Sequence, residues 1–349
     1  LALREVAVAV PGDLATPTGG YAYDRRVMAE LSRIGWSVRH IELPGDFPEP
    51  SPESLAESAR LFGTVAQDIP LVVDGLAYGV LPDSLLKTLR QRVIALVHHP
   101  LGLETGLPPA RAAMLIASER AALDRAAAVV VTSPATADTL TGRFGVPAAR
   151  IIVALPGVEP ASRASGTGVP PRLLSVGSVV PRKGYDVLVR ALARVADLPW
   201  TCRIVGSTDR SETTTANVKE LIAASGLSGR IMLVGALGDD ELAVEYAAAD
   251  LFVLASHYEG YGMVFAEALA RGLPIVACAG GATATTVPAD AGLLVEPGDV
   301  EGLASAVTRL LADPAERARR ADAAWAHAAA LPRWADTARR ISTVLEAAP

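Results

Sequence analysis

At 349 residues the chain is about twice the size of a typical single domain, which excludes one small module. Half of its residues are hydrophobic and 20% are charged, which excludes extended disorder. Its 32 Lys and Arg against 38 Asp and Glu leave a net charge of −6, with no basic tail and no basic run interleaved with aromatics, so nucleic acid is not an expected partner. No apolar run approaches the roughly 18 residues that a bilayer crossing needs, and no integral membrane segment is expected. The two cysteines, Cys202 and Cys278, each stand inside an apolar strand-like run. No histidine or cysteine cluster has metal-ligand spacing, so buried free thiols and no metal are expected. No basic segment followed by an apolar stretch and a small-residue cleavage site opens the chain, and a start at Leu1 reads as trimmed. The expected location is cytoplasmic.

In chain order, runs that are apolar throughout alternate with amphipathic stretches rich in Ala, Leu and Arg, the pattern of parallel strands covered by helices on both faces. The first series of strands is REVAVAV, WSVRHIEL, IPLVVDG, VIALVHH, AAVVVTS and RIIVALP, with helices expected over 23–34, 84–91, 109–125 and 133–144. The small, polar, proline-bearing stretch 162–171 reads as a linker. A second series follows: RLLSVGS, TCRIVGS, RIMLVGA, LFVLAS, PIVACAG and GLLVEP, with helices over 186–195, 215–224, 239–248, 264–271 and 300–312. Alanine-rich helices over 314–348 close the chain. The expected fold is α/β, two doubly wound Rossmann-like domains facing each other across a cleft. Residues 1–164 form the first, which takes back the last helix, 333–349; residues 165–332 form the second.

Four stretches could carry chemistry. The loop PGDLATPTGGYAYDRR over 11–26 sets Gly19 and Gly20 just before a helix, where backbone can approach a ligand closely, although it matches neither GxGxxG nor a P-loop. His98 and His99 end the strand VIALVHH before Pro100. Successive strand residues face opposite ways, so one of the pair can address a substrate and the other packs. In SVGSVVPRKGYDVLVRAL, Arg182, Lys183 and Gly184 join a strand to a helix, and a planar fork beside a point charge at a strand's end suits a pyrophosphate. In HYEGYGMVFAEALARGLPIVA, Glu259 lies on a strand-exit loop and Glu267 in the second turn of the following helix. Gly260 and Gly262 between them let backbone N–H groups approach an anion. A carboxylate accepts two hydrogen bonds side by side, as vicinal sugar hydroxyls require.

These residues together resemble the retaining nucleotide-sugar glycosyltransferases of family 4, which have the two-domain GT-B fold. The resemblance rests on the strand followed by Arg182, Lys183 and Gly184, then on Glu259, seven residues and Glu267. It extends through the GG loop, HHP, VVVTSPATADTL, ALPGVEP, MLVGAL and AGLLVEPGD over nearly the whole chain.

The resemblance implies that Arg182 and Lys183 hold the donor diphosphate and that Glu267 holds the ribose. Glu259, with the backbone of Gly260, Tyr261 and Gly262 and the adjoining Met263 and Val264, is placed at the transferred sugar. Gly19 and Gly20 approach the phosphates, His98 rather than His99 contacts the sugar, and backbone around Gly206 and Val234 lines the base. No metal or other cofactor is implied, since Arg and Lys take the charge on the leaving diphosphate. The partners implied are a nucleotide sugar and a glycan, lipid or small-molecule acceptor. One departure is the loop 280–287: where family members often carry Pro-Glu, this chain has Ala284 and Thr285 in GGATATTV. Transfer from a nucleotide-diphosphate sugar to an acceptor hydroxyl, with retention, is the expected function. A GT-B nucleotide-sugar epimerase and a non-catalytic two-domain sugar-binding protein are the alternatives.

Overall fold

The continuous apolar runs pair side by side in parallel, as strands buried on both faces do. The computed structural model describes residues 4–347. In one sheet are β1 (Arg4–Pro11), β2 (Trp36–Leu43), β3 (Leu71–Asp74), β4 (Val93–Val97), β5 (Ala128–Val131) and β6 (Ile151–Val153), in the order β2-β1-β3-β4-β5-β6. In the other are β7 (Arg172–Val176), β8 (Thr201–Val205), β9 (Ile231–Gly235), β10 (Leu251–Leu254), β11 (Ile275–Cys278) and β12 (Gly292–Val295), in the order β12-β11-β10-β7-β8-β9. The strand order reverses between β1 and β3 in the first sheet and between β7 and β10 in the second. At such reversals the loops leaving neighbouring strands diverge to opposite faces and open a crevice at the strands' carboxyl ends. This is the Rossmann-like arrangement that the alternating pattern implied.

The chain forms two compact units, one running to Gly157 and resuming at Pro332, the other Val158–Leu331. The helix Trp334–Glu346 belongs to the first unit: Trp36 Nε1 donates to Ser342 Oγ at 3.0 Å, Thr337 Oγ1 to the Leu155 carbonyl at 2.7 Å, and Trp334 meets Tyr23 edge to face. The last two residues of the expected helix, 348–349, lie outside the described residues. Cys202 and Cys278 are both buried and free, in strands β8 and β11.

The stretch expected as a linker is fastened to the second unit. Ala164 N–H donates to the Arg271 carbonyl and Ser165 N–H to that of Ala247, while Asp250 accepts from the N–H groups of Thr167, Gly168 and Arg172. One carboxylate thus orders a segment whose composition alone reads as tether. Other expectations are corrected locally. The helix placed over 84–91 is a single turn, Asp83–Leu86, because the chain leaves it to feed β4, with the Gln91 side chain bonding the carbonyls of Phe62 and Val65. The helix placed over 133–144 is α-helical only over Pro134–Thr139, then widens into a π turn that Gly145 ends. An unforeseen helix, Pro52–Phe62, starts at Ser51, whose side chain accepts from Ser54 N–H, with Pro52 in its first turn.

Candidate active site

In the second unit the loops leaving β7 and β10, neighbours at the reversal of strand order, bring three charged side chains together. After β7 the chain makes a turn of 3₁₀ helix, Pro181–Lys183, and passes through Gly184 into the helix Tyr185–Arg194. Gly184 has φ +61°, and a Cβ there would stand 2.1 Å from the Ala255 carbonyl oxygen at the end of β10. Only glycine lets the two loops approach so closely. His257 N–H donates to the Arg182 carbonyl at 2.8 Å and Arg182 Nη1 to the Tyr258 carbonyl at 2.8 Å, locking one loop to the other. Glu259 then receives Lys183 Nζ at 2.6 Å on Oε1 and has Arg182 Nη1 3.5 Å from Oε2. Burial by itself would raise the Glu259 carboxyl; the charges of Lys183 and Arg182 outweigh it and hold the group below its ordinary value, so Glu259 is ionised at neutral pH.

The loop 280–287, where the family pattern is broken, is bonded to both sides of Glu259. Glu259 and Gly281 form a parallel bridge, Ala282 N–H donates to the Glu259 carbonyl, and Thr286 Oγ1 donates to the Tyr261 carbonyl, each of the last two at 2.8 Å. A short helix, Thr283–Thr286, stands in this loop. Tyr261, half-buried, packs against the apolar group of Val158, Ala266 and Ala270. Gly262 enters the helix Met263–Leu269, whose fifth residue is Glu267. Glu267 Oε2 accepts from Tyr246 Oη at 2.8 Å, and the same hydroxyl lies 3.3 Å from the Val264 carbonyl. Arg271 covers the Tyr246 ring and donates to the Glu267 carbonyl. Burial first, and then Glu267, push the Tyr246 hydroxyl far above its ordinary value, so it is a permanent donor. Gly206 N–H donates to the Gly235 carbonyl, and Val234 is half-buried at the end of β9.

In the first unit Gly19 and Gly20 do not precede the helix but open it: Gly19–Arg33 is capped by Thr18, whose hydroxyl accepts from Tyr21 N–H. The cap, not the glycine pair, decides where the helix begins. A Cβ on Gly20 would lie 3.2 Å from His98 Cδ2, so this glycine makes room for the histidine. His98, just beyond β4, turns Nε2 toward Asp24 Oδ1 at 3.1 Å and Asp74 Oδ2 at 3.3 Å. Asp24 comes from the first helix and Asp74 from the end of β3, where its other oxygen caps the turn at Leu76 N–H. His99 faces elsewhere, with Nε2 3.9 Å from Glu104. Desolvation depresses the His98 imidazole, but the two carboxylates overcome it and lift the group from 6.5 to about 10. One nitrogen of His98 and one oxygen each of Asp24 and Asp74 lie within 4.8 Å of one another, the one such His and carboxylate trio among the described residues.

Sequence reasoning did not single out Asp24, Asp74 or Tyr246. Asp24 carries a signal: it shares the buried stripe of its helix with Tyr23, Val27 and Leu31, and a charge on an apolar face wants a partner. Asp74 ends an apolar strand, a weaker sign. Tyr246 has none.

Residues 162–326 match the family described as Glycosyl transferases group 1, and residues 6–162 match Glycosyltransferase Family 4. Over 326 aligned residues the chain is 31% identical to the GDP-mannose-dependent alpha-(1-6)-phosphatidylinositol monomannoside mannosyltransferase of Mycolicibacterium smegmatis, covering 85% of this chain and 79% of that protein. Among solved structures it is similar to sucrose-phosphate synthase from Thermosynechococcus elongatus, with a TM-score of 0.82, 25% identity, and coverage of 97% and 98% of the two chains. HepE of Anabaena, solved in complex with UDP-glucose, shares the fold at a TM-score of 0.78 and 18% identity, over 97% of this chain and 99% of its own.

Proposed function

Because the chain belongs to glycosyltransferase family 4 and is a glycosyltransferase of the GT-B fold, we propose that it moves a sugar from a nucleoside-diphosphate donor to an acceptor hydroxyl, with retention and without a metal ion. The observation that carries this reading is the meeting of Arg182, Lys183 and Glu259 at the strand-order reversal of the second sheet. A guanidinium and an ammonium stand side by side here, and a diphosphate is a ligand that such a pair of cations suits. As the bond from the anomeric carbon to the diphosphate lengthens, negative charge grows on the leaving group. Fixed cations there gain more in the transition state than in the ground state. Arg182 and Lys183 thereby take the charge that a divalent ion neutralises elsewhere.

Glu259, ionised and held by these cations, offers its carboxylate to hydroxyls of the transferred sugar. Glu267, oriented by Tyr246, accepts from the ribose, and His98 donates to the sugar. Gly19, Gly20, Gly260, Gly262 and Met263 supply backbone close to the donor, with Gly206 and Val234 beside the base. On one face of the sugar, the departing phosphate oxygen removes the proton of the attacking hydroxyl, which gives retention. The donor class is supported by GDP-mannose in the name of the mycobacterial relative and by the UDP-glucose complex of HepE.

A thermal-shift panel of nucleoside-diphosphate sugars, followed by NMR of the product made from the best donor, tests the reading. Stabilisation by one donor and a product with that donor's anomeric configuration support it. An inverted product, or activity abolished by EDTA and restored by Mg²⁺ or Mn²⁺, overturns the retaining or the metal-free part. An epimerised donor without transfer overturns the whole.

A further inference from the structure

The His98 cluster places two buried acids on a single nitrogen. The side chains of Asp24 and Asp74 are 0% and 3% exposed, and each turns one oxygen to Nε2 of the same ring. Asp24 Oδ2 has no hydrogen-bond partner among the described residues, so His98 is the group that compensates the burial of that carboxylate. We propose that Asp24 and Asp74 are positioning residues that clamp the Nε2–H edge of His98 and keep the ring an imidazolium, with Nδ1–H presented to a neutral hydroxyl of the transferred sugar. This rests on the reading of His98 as a sugar contact and adds to it the residues that set its charge and orientation.

The edge of the ring bearing Nε2 and Cδ2 faces the two carboxylates and Gly20, 21% of the His98 side chain remains exposed, and Nδ1 is the ring nitrogen that the carboxylates leave to a ligand. A neutral ring protonated on Nδ1 would set the Nε2 lone pair against two carboxylates. One protonated on Nε2 would make Nδ1 an acceptor. Only the imidazolium donates at both ends. Burial raises Asp24 to about 6, so its carboxylate bears fully on the ring only above that pH. Tyr23 packs its ring edge on against His98 and spends its hydroxyl on the Ala154 carbonyl, and Arg25, on the same helix, bears on Asp24. Two acids around the one ring leave no excess of positive charge, which disfavours a phosphate and leaves an uncharged hydroxyl as the fitting acceptor. A charged donor makes roughly twice as strong a hydrogen bond as a neutral one.

The sign of the pH effect follows. His98, raised to about 10, keeps its proton through neutral pH and loses it only as pH rises toward that value. Replacing one carboxylate by its amide removes part of what raises the group, so its proton is lost at a lower pH than in the wild type. The test combines ¹⁵N NMR of the His98 ring in the wild-type protein with pH profiles of kcat/KM for wild type, Asp74→Asn, Asp24→Asn and His98→Gln. Expected are an imidazolium at pH 8 and a profile with no His98 inflection between pH 6 and 9 in the wild type. From neutral pH upward either Asp variant should fall progressively behind wild type, by about tenfold more at pH 8.5 than at pH 7. A neutral ring at pH 8 in the wild type overturns the proposal even if a variant fails to fold. A variant profile parallel to wild type, with His98→Gln nearly inactive, overturns the role of the carboxylates and keeps that of His98. Wild-type activity in His98→Gln removes the sugar contact itself. Stoichiometric divalent metal in the purified protein, lost in Asp74→Asn, overturns it in favour of an ion held by the trio.

Discussion

The two units place opposite charge arrangements at comparable points of their sheets. In the second, one carboxylate, Glu259, stands between two cations; in the first, one imidazole, His98, stands between two carboxylates. Both clusters form at or beside a reversal of strand order, where loops from neighbouring strands open a crevice. Their outer pairs differ in the sign of their charge. The first cluster surrounds its ring with acids and keeps it protonated; the second surrounds its carboxyl with cations and keeps it ionised. In each, the outer pair sets the state of the central group against the cost of burial. Where the outer pair is cationic an anion is the fitting ligand, and where it is acidic a neutral hydroxyl is.

The largest effect is expected where the comparison is most exposed to failure. Loss of Arg182 or Lys183 to alanine should reduce turnover by about a hundredfold or more, the scale of a single contact to developing negative charge. Wild-type turnover in the double variant would leave the positive cluster structural and end the parallel.

Next come the two glutamates, which steady-state kinetics and calorimetry should separate. Glu259→Gln removes the charge between the cations and should depress kcat while nucleoside diphosphate binds as well as before or better. Glu267→Ala should raise donor KM and weaken the bare nucleotide. Equal loss of nucleotide affinity in both would refute the division of labour. Tyr246→Phe should weaken nucleoside diphosphate by about tenfold, since it frees the carboxylate that the hydroxyl orients. Its loss should shrink when the nucleotide lacks ribose hydroxyls, and an undiminished loss with a 2′,3′-dideoxy nucleotide would assign Tyr246 to packing alone.

The smallest effect is expected from Thr286→Val, which removes the hydrogen bond from loop 280–287 to Tyr261 and should cost about 1 kcal/mol. That corresponds to a fall of about 2–4 °C in Tm. A change in turnover larger than this loss of stability explains would mean that the loop shapes the sugar site as well as supporting Glu259.

The second cluster was legible in the sequence because its members lie in two short segments, each with a local signature. Arg182, Lys183 and Gly184 follow a strand, and Glu259 and Glu267 flank a glycine turn into a helix. The first cluster was half legible. His98 stood out by its place at a strand's end, whereas Asp24 and Asp74 are separated from it by 74 and 24 residues, and nothing in their spacing marks them as its partners. The glycine pair was noticed for closeness to a ligand, but the contact found for Gly20 is with His98. The stretch 162–171 shows the same limit, since small and polar residues read as tether until Asp250 binds their N–H groups.

Hydrophobic patterning by itself determined the strands, because a run buried on both faces has few alternatives to a parallel sheet. It determined the two-part architecture as well, because a series of strands and helices repeated over 349 residues exceeds one core. Tertiary structure decided which charges meet. Strand order set β3 beside β4 and β7 beside β10, and only that adjacency put two carboxylates on His98 and two cations on Glu259. Ionisation depends on distances of a few ångströms and on exclusion of water, and both are properties of the packed chain rather than of residue order.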